Sequence, residues 1–304
     1  MVNLAIIILA YNEELHLARA LEGVVGIAKE IFVIDSGSKD RTREIAEVYG
    51  AVVIEHPFVN YAKQFQWALE NAPITSDWVM RLDADEIVEA DLATEIVEKL
   101  PTLPREVVGI NLKRKLIFMN RTIKHGGRGT LVLLRLWRRG YGRIEDRWMD
   151  EHMIIHGGRT VTFEGGFADC NLNNLSFFTD KHNKYATREA IDALNQRLGF
   201  MKRDDSLSIE ASSHQAAVKR FVKEKFYNRV PFQLSALAYF LYRFVFRLGF
   251  LDGKEGAIYH VLQGFWYRFL VGAKLEELSR AIRGHRTPSE IRDTLTRLTG
   301  LTLH

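Results

Sequence analysis

The sequence predicts an α/β fold, a mostly parallel sheet flanked by helices and followed by a helical region of different character. Two observations carry that expectation. Short apolar runs alternate with segments of helical periodicity from Leu4 to Leu82, and each of the better-defined runs ends in acidic or amide residues. Strands that alternate with helices build a parallel sheet covered on both faces, and such strands read as continuous apolar runs. The last third then becomes dense in aromatic and basic residues.

Leu4 to Leu9 is the first such run, ending in Ala10-Tyr11-Asn12-Glu13-Glu14, after which Leu15, Leu17, Ala18, Leu21 and Val24 recur at helical spacing. It is short and lacks a basic leader, so it reads as a buried first strand rather than a signal peptide. Glu30 to Ile34 is the second strand, closed by Asp35-Ser36-Gly37-Ser38-Lys39-Asp40 and followed by a helical pattern from Thr42 to Tyr49. Ala51 to Ile54 makes a third strand, Tyr61 to Asn71 a third helix and Trp78 to Leu82 a fourth strand. Val107 to Leu112 and Thr130 to Leu136 are further strands, with glycine and arginine clusters at 126–129 and 138–143 as turns. Asn174 to Leu198 carries Leu175, Phe178, Ala186, Ala190 and Leu194 at roughly helical recurrence.

His214 to Arg229 sets Lys219, Arg220, Lys223, Lys225 and Arg229 against the single acid Glu224, interleaved with bulky apolar residues. Pro231 introduces Phe232 to Phe250, rich in leucine and aromatics but interrupted by Arg243 and Arg247. The uninterrupted apolar part is too short to cross the roughly 30 Å of bilayer hydrocarbon. It suits a helix lying in the membrane interface, its arginines reaching toward lipid phosphates, with an aromatic core or a subunit interface as the alternative. Ala257 to Ala273 repeats the pattern with Trp266, Tyr267 and Arg268, and Pro288 to His304 reads as a short helix with a weakly ordered tail. The net charge of +4 permits anionic ligands or an anionic membrane surface without choosing between them. Cys170 is the sole cysteine, which excludes an intrachain disulfide and makes a reducing cytoplasm the simpler setting.

The most informative segment is Arg81-Leu82-Asp83-Ala84-Asp85-Glu86. Alternation would put Asp83 and Asp85 on one side of an extended backbone, where they could engage a hard divalent cation and a ribose or phosphate. Ligands of open α/β sheets bind beyond the carboxyl ends of the strands, and Asn12, Asp35, Asp83 and Asp85 all fall there. Asp35 is a candidate Asx-turn or capping residue and a candidate acceptor for a base or ribose, roles that can coexist, and Ser38 is a candidate cap of the next helix. No glycine-rich dinucleotide fingerprint follows the first strand.

Three segments, Ile7 to Glu14, Val33 to Thr42 and Leu82 to Glu86, resemble the signature segments of family 2 glycosyltransferases with the GT-A fold, and the likeness covers roughly residues 1–100. It implies a GT-A, Rossmann-like catalytic domain and inverting transfer from a nucleoside-diphosphate sugar. It further implies that Ala10, Tyr11 and Glu13 line the nucleotide pocket, Asp35 holds the uracil or ribose, Asp83 contacts the nucleotide, and Asp85 binds Mn2+ or Mg2+. The whole chain is similar to the bacterial subfamily that adds glucose to the inner core of lipopolysaccharide and to its exopolysaccharide relatives. In that subfamily Asp150-Glu151-His152, Lys181 to Tyr185 and Gly249 to Lys254 have counterparts. UDP-glucose is then the favoured donor, a glycolipid or polyprenyl-linked sugar the acceptor, and the cytoplasmic face of the bacterial inner membrane the location.

The organisation expected is a nucleotide-sugar half at 1–100, an acceptor and catalytic-base half at 101–205, and a helical membrane-associating region at 206–304. Inverting transfer needs a base near the attacking hydroxyl, and Asp150 and Glu151 are the leading pair, Asp150 first because its shorter side chain is held more rigidly. An acidic helix start is the plainer reading of that pair, and Glu145 with Asp146 is its rival. Lys181, Lys184 and Arg188 can share a cationic helix face able to clamp a diphosphate, with a solvated basic face as the alternative and the better reading for Lys184; the subfamily resemblance implies Lys181 and His182 as the preferred contacts. His152 and Asp169 are candidates to close the metal or acceptor site. Two other activities fit the composition: nucleotidyl transfer, whose usual lysine or glycine-rich triphosphate loop is absent after the first strand, and nucleic-acid binding, for which no motif is present. A homo-oligomer is compatible with the sequence.

Overall fold

The computed structural model describes residues 1–145, 152–201 and 231–303. Its parallel strands are β1 (Val2–Ala10), β2 (Ala28–Asp35), β3 (Val52–Glu55) and β4 (Trp78–Asp83), joined through α1 (Leu17–Glu22), α2 (Thr42–Val48) and α3 (Tyr61–Asn71). After β5 (Glu86–Val88) and α4 (Ala90–Lys99) come β6 (Val107–Phe118), β7 (Arg121–Thr122), β8 (Leu131–Arg138), β9 (Gly142–Ile144), β10 (Met153–Ile155) and β11 (Arg159–Cys170). A nine-stranded sheet runs in the order β3-β2-β1-β4-β8-β6-β11-β5, with β7 on β6, while β9 and β10 pair separately. β8 is antiparallel to β4 and β6, and β5 to β11, so the sheet is mixed with a parallel half. The GT-A, Rossmann-like fold class expected from the sequence is the fold observed.

β1 reads as an unbroken apolar run because both of its faces are covered. Leu4, Ile6 and Ile8 pack with Leu17 and Leu21 of α1 on one side, whereas Ala5 and Ile7 pack with Ala62, Phe65 and Ala68 of α3 on the other. β6 runs well past the Leu112 expected from the sequence. Its second half carries Lys113, Arg114 and Lys115, which hide the strand from an apolar-run criterion and pair with Glu164, with Asp169, and with Glu89 respectively.

β2 is tied to the β4 entrance by Glu30, whose carboxylate accepts from the backbone N–H and hydroxyl of both Thr75 and Ser76. Desolvation would raise this carboxyl, but the four donors outweigh it and bring Glu30 from 4.5 down to about 2. A depressed folded value means stability that is complete above the unfolded value and is lost as pH falls through the folded one. Thermal melts of wild type and Glu30→Gln should therefore differ most above about pH 4.5 and converge near pH 2; a pH-independent difference would assign the effect to packing alone.

Contacts separate the sheet, through Asn173, from a second compact unit that begins at Asn174. β6, β8 and β11 complete the sheet that β1 begins, and the helix after Asn174 packs among the C-terminal helices. The second unit contains α5 (Leu175–Leu198), α6 (Phe232–Leu241) continuing into a π-helical turn Tyr242–Phe246, and a 3-10 turn Gly249–Asp252. α7 (Gly253–Tyr259), a π segment His260–Trp266, α8 (Tyr267–Ala281) and α9 (Pro288–Thr299) follow. Asn174 caps α5 through the Phe177 N–H, and a Thr287/Glu290 capping box starts α9. Ala190, Ile191 and Leu194 of α5 pack against Leu278, Ile282, Ile291 and Leu295. Leu303 is buried in that same cluster, so the segment expected to be a loose tail is anchored by its leucines.

Candidate active site

β1, β2 and β4 end level with one another: Ala10 is in register with Asp35, and Leu9 with Asp83. The chain moves outward from β1 to β3 and then returns to β1's other side as β4, which makes the ends of β1 and β4 the crevice where such sheets bind ligands.

The loop after β1 is stitched to the loop after β2. Asn12 adopts φ +54°, a left-handed conformation that asparagine tolerates better than most residues. Its N–H donates to Ser38 Oγ at 2.9 Å, its Oδ1 accepts from Lys39 N–H at 2.8 Å, and Glu13 N–H donates to Thr42 Oγ1 at 2.7 Å. Ser38 is thus spent on this tie and does not cap α2; Asp40 makes the local bonds to Thr42. Ala10 is buried and Tyr11 projects into solvent, 59% exposed.

Asp35 takes the turn-building role. Its wholly buried carboxylate accepts from the N–H groups of Gly37 and Ser38 and pairs with Arg43 Nε at 2.6 Å. Glu13 Oε2 lies 2.6 Å from Nδ1 of the buried His16, whose Nε2 accepts from Leu172 N–H at 3.0 Å. The amide fixes the ring with its proton on Nδ1, aimed at Glu13, and so fastens the first loop to the end of β11.

Extended alternation does not continue from Asp83 to Asp85. β4 stops at Asp83, Ala84 and Asp85 form a turn, and Glu86 opens β5 with its carboxylate accepting from Asp83 N–H at 2.9 Å. The turn exists because β5 must reverse to pair antiparallel with β11 at Phe167 to Asp169. The two aspartates consequently have different environments. Asp83 accepts from Tyr61 Oη at 2.5 Å and pairs with Arg81 at 3.3 Å and Arg135 at 3.2 Å. Burial alone would raise its carboxyl, but the two guanidinium groups hold it well below the usual carboxylate range. Arg135 also pairs with Glu86 at 2.6 Å, while burial pushes Glu86 up against that attraction. Asp85 is half-buried, and its Oδ2 accepts from Asn171 Nδ2 at 2.9 Å.

Arg81 and Arg135 are site residues that a search for acids and motifs passes over. Their signal is present nonetheless: an arginine inside Leu133-Leu134-Arg135-Leu136-Trp137 is a charge in a buried strand, which requires a carboxylate partner.

The other expected site residues are distributed as follows. Asp150 and Glu151, with Asp146, lie outside the described residues. Glu145 is wholly buried, its N–H donating to the His152 carbonyl, and Asp169 lies 3.5 Å from Arg114. Lys181 and His182 belong to α5 in the second unit, with the Lys181 ammonium over the rings of Phe177 and Tyr185. His182 Nδ1 lies 2.8 Å from the Phe178 carbonyl, and its ring packs against Phe178 and Tyr267.

For a divalent cation the donor chemistry at the β4 exit is suitable. Asp85 offers a hard oxygen donor beside the crevice, while Asp83 is committed to two arginines and a tyrosine. Among the described residues no three His, Cys, Asp or Glu side chains converge as a ready-made cage. Asn171→Ala should weaken Mn2+ binding in the presence of UDP, read from the loss of the free Mn2+ EPR signal, while leaving the thermal melt nearly unchanged. Equal Mn2+ uptake by the variant would show that Asn171 does not orient Asp85.

The sheet order is that of a GT-A, Rossmann-like domain. The chain belongs to glycosyl transferase family 2, whose model matches residues 5–167, and it is a glycosyltransferase. It is 27% identical over 283 residues to an uncharacterized glycosyltransferase of Rickettsia typhi, covering 92% of this chain and 88% of that one. An uncharacterized glycosyltransferase of Rickettsia felis is 38% identical over 96 residues, 32% of this chain and 33% of that one. The chain is also similar to the crystal structure of glucosyl-3-phosphoglycerate synthase from Mycobacterium tuberculosis, at 21% identity and a TM-score of 0.31, over 37% of this chain and 43% of that one. A likeness at that level bears on neither ligand nor chemistry.

Proposed function

We propose that this glycosyltransferase is inverting and metal-dependent, and that it moves a hexose from a nucleoside-diphosphate sugar to a glycolipid or lipid-linked oligosaccharide in bacterial surface-polysaccharide synthesis. The observation that carries the reading is the placement of Asp83 and Asp85 at the exit of β4, beside the switch in strand order, in a chain of family 2. UDP-glucose as donor, and work at the cytoplasmic face of the inner membrane, rest on the resemblance of the later segments to the lipopolysaccharide inner-core subfamily.

In this reaction the acceptor hydroxyl oxygen bonds to the anomeric carbon as the bond from that carbon to the diphosphate oxygen breaks. The hydroxyl proton passes to Asp150 or Glu151, and the nucleoside diphosphate departs. A divalent cation at Asp85 would supply positive charge to the diphosphate oxygens as theirs grows. Asp83, pinned by Arg81 and Arg135, presents a rigid edge to the nucleotide rather than a mobile carboxylate.

Incubating the full chain with a panel of nucleoside-diphosphate sugars, with and without Mn2+, and with bacterial membrane extract as acceptor tests the reading. Metal-dependent incorporation of hexose into the lipid fraction is expected, and no incorporation from any donor would overturn it. Asp150→Asn should keep UDP affinity and lose transfer, with Glu151→Gln as the paired control. If only the Glu151 variant loses turnover, the base is Glu151; if neither does, it lies elsewhere.

A further inference from the structure

The second unit contains a bent helical pair whose polarity is inverted relative to a water-soluble fold. No single helix among the described residues is long and apolar enough to cross a membrane, but Phe232–Phe246 and Gly249–Ala281 pass together in length and composition and are bent by 70°. At the bend the large apolar side chains face outward: Phe246 is 76% exposed, and Leu241, Val245, Leu248, Phe250 and Leu251 are all exposed. Three ionisable groups of the same segment are inside. Arg243 is 2% exposed and lies over the rings of Tyr239 and Tyr259, while Asp252 and His260 are buried 3.9 Å apart. Arg243 is therefore an internal fastening of the bend and not, as its place in the sequence suggests, a contact for lipid phosphates.

The inversion is built tightly. A Cβ on Gly249 would fall 2.7 Å from the His260 ring and 2.9 Å from the Arg243 carbonyl oxygen, so the two limbs meet at this glycine. Soluble proteins rarely expose a contiguous apolar patch while burying arginine, aspartate and histidine. Segments surrounded by hydrocarbon do this as a rule, because an ionisable group there must face protein and a leucine need not. Two exposed cations complete the match. Arg247, within the tip segment, and Lys254, just after it, are exposed, whereas Asp252 is buried.

We infer that the bend, with Phe246 to Leu251 at its tip, inserts into one leaflet of an anionic bilayer as a re-entrant wedge, with Arg247 and Lys254 at the headgroups. The inference rests on the membrane-associated reading above and deepens it, since it names the inserting element and its occupant.

Cys170 is buried and is the only cysteine, so Phe250→Cys and Val48→Cys can each be labelled with an environment-sensitive fluorophore, Val48 being 77% exposed in the sheet unit. On vesicles of phosphatidylcholine with phosphatidylglycerol, the label at 250 should shift to the blue and be quenched by brominated acyl chains, and the label at 48 should do neither. Phe246→Asp combined with Leu251→Asp, with circular dichroism to confirm folding, should reduce the vesicle-bound fraction by roughly tenfold or more. Flotation with the label at 250 still in water would overturn the wedge and leave membrane association to other segments. No flotation at all would overturn the membrane reading itself. A label shielded without vesicles, in step with a concentration-dependent dimer, would overturn the inference by making a second copy the occupant.

Discussion

Asp85→Asn should lower metal-dependent transfer by roughly a hundredfold or more while leaving the fold intact. The side chain is half-buried, keeps its volume in the substitution, and retains a carbonyl oxygen to accept from Asn171. What it loses is the negative charge that, on the proposed reading, would hold a cation against the diphosphate. The measurement is kcat and KM against Mn2+ concentration, with Mn2+ EPR in the presence of UDP as a readout independent of turnover. Unchanged activity at limiting Mn2+ would remove the metal assignment. Asp83→Asn should act differently, impairing nucleotide binding and stability together, because that carboxylate answers two buried guanidinium groups.

Arg135→Met should be the most destabilising single change in the site, costing about 3–5 kcal/mol, since it leaves Asp83 and Glu86 facing one another without their shared cation. Methionine fills much of the same volume, so the loss reads on charge rather than on a cavity. Urea denaturation checks the magnitude. Adding Glu86→Gln should recover more than half of it, because the group most in need of the arginine is then neutral. A loss below about 1 kcal/mol, or no recovery in the double variant, would mean that the acid and arginine groups are not coupled as the distances imply.

Much of this fold was legible in the pattern of residues, and the failures have physical causes. Tyr61 to Asn71 forms a helix with the bounds its periodicity indicates, capped by Asn60. The apolar runs marked β1, β2, β3 and β4 to within about two residues, because strands covered on both faces contain little else. β6 was half missed because its charged residues are satisfied by partners on other elements, which no single segment reveals. The strand-end acids were legible as a cluster at the carboxyl edge of the sheet. Their geometry was not, because the turn at Ala84-Asp85 is imposed by β5 pairing with β11, more than eighty residues further on in the chain. Ser38 and Arg243 were misread for the same reason: each serves a long-range contact, Ser38 with Asn12 and Arg243 with Tyr259, where local rules offered a helix cap and a lipid contact.

The central claim is that the β4 exit serves a nucleoside-diphosphate sugar. It is tested most directly by quantifying, in one reaction of the full chain with UDP-glucose, Mn2+ and membrane extract, the UDP released, the pyrophosphate released and the glucose recovered in lipid. The account predicts UDP and lipid-bound glucose in equal amounts, no pyrophosphate, and loss of both products in Asp85→Asn. Pyrophosphate as the product, or glucose transfer undiminished in Asp85→Asn, would contradict it.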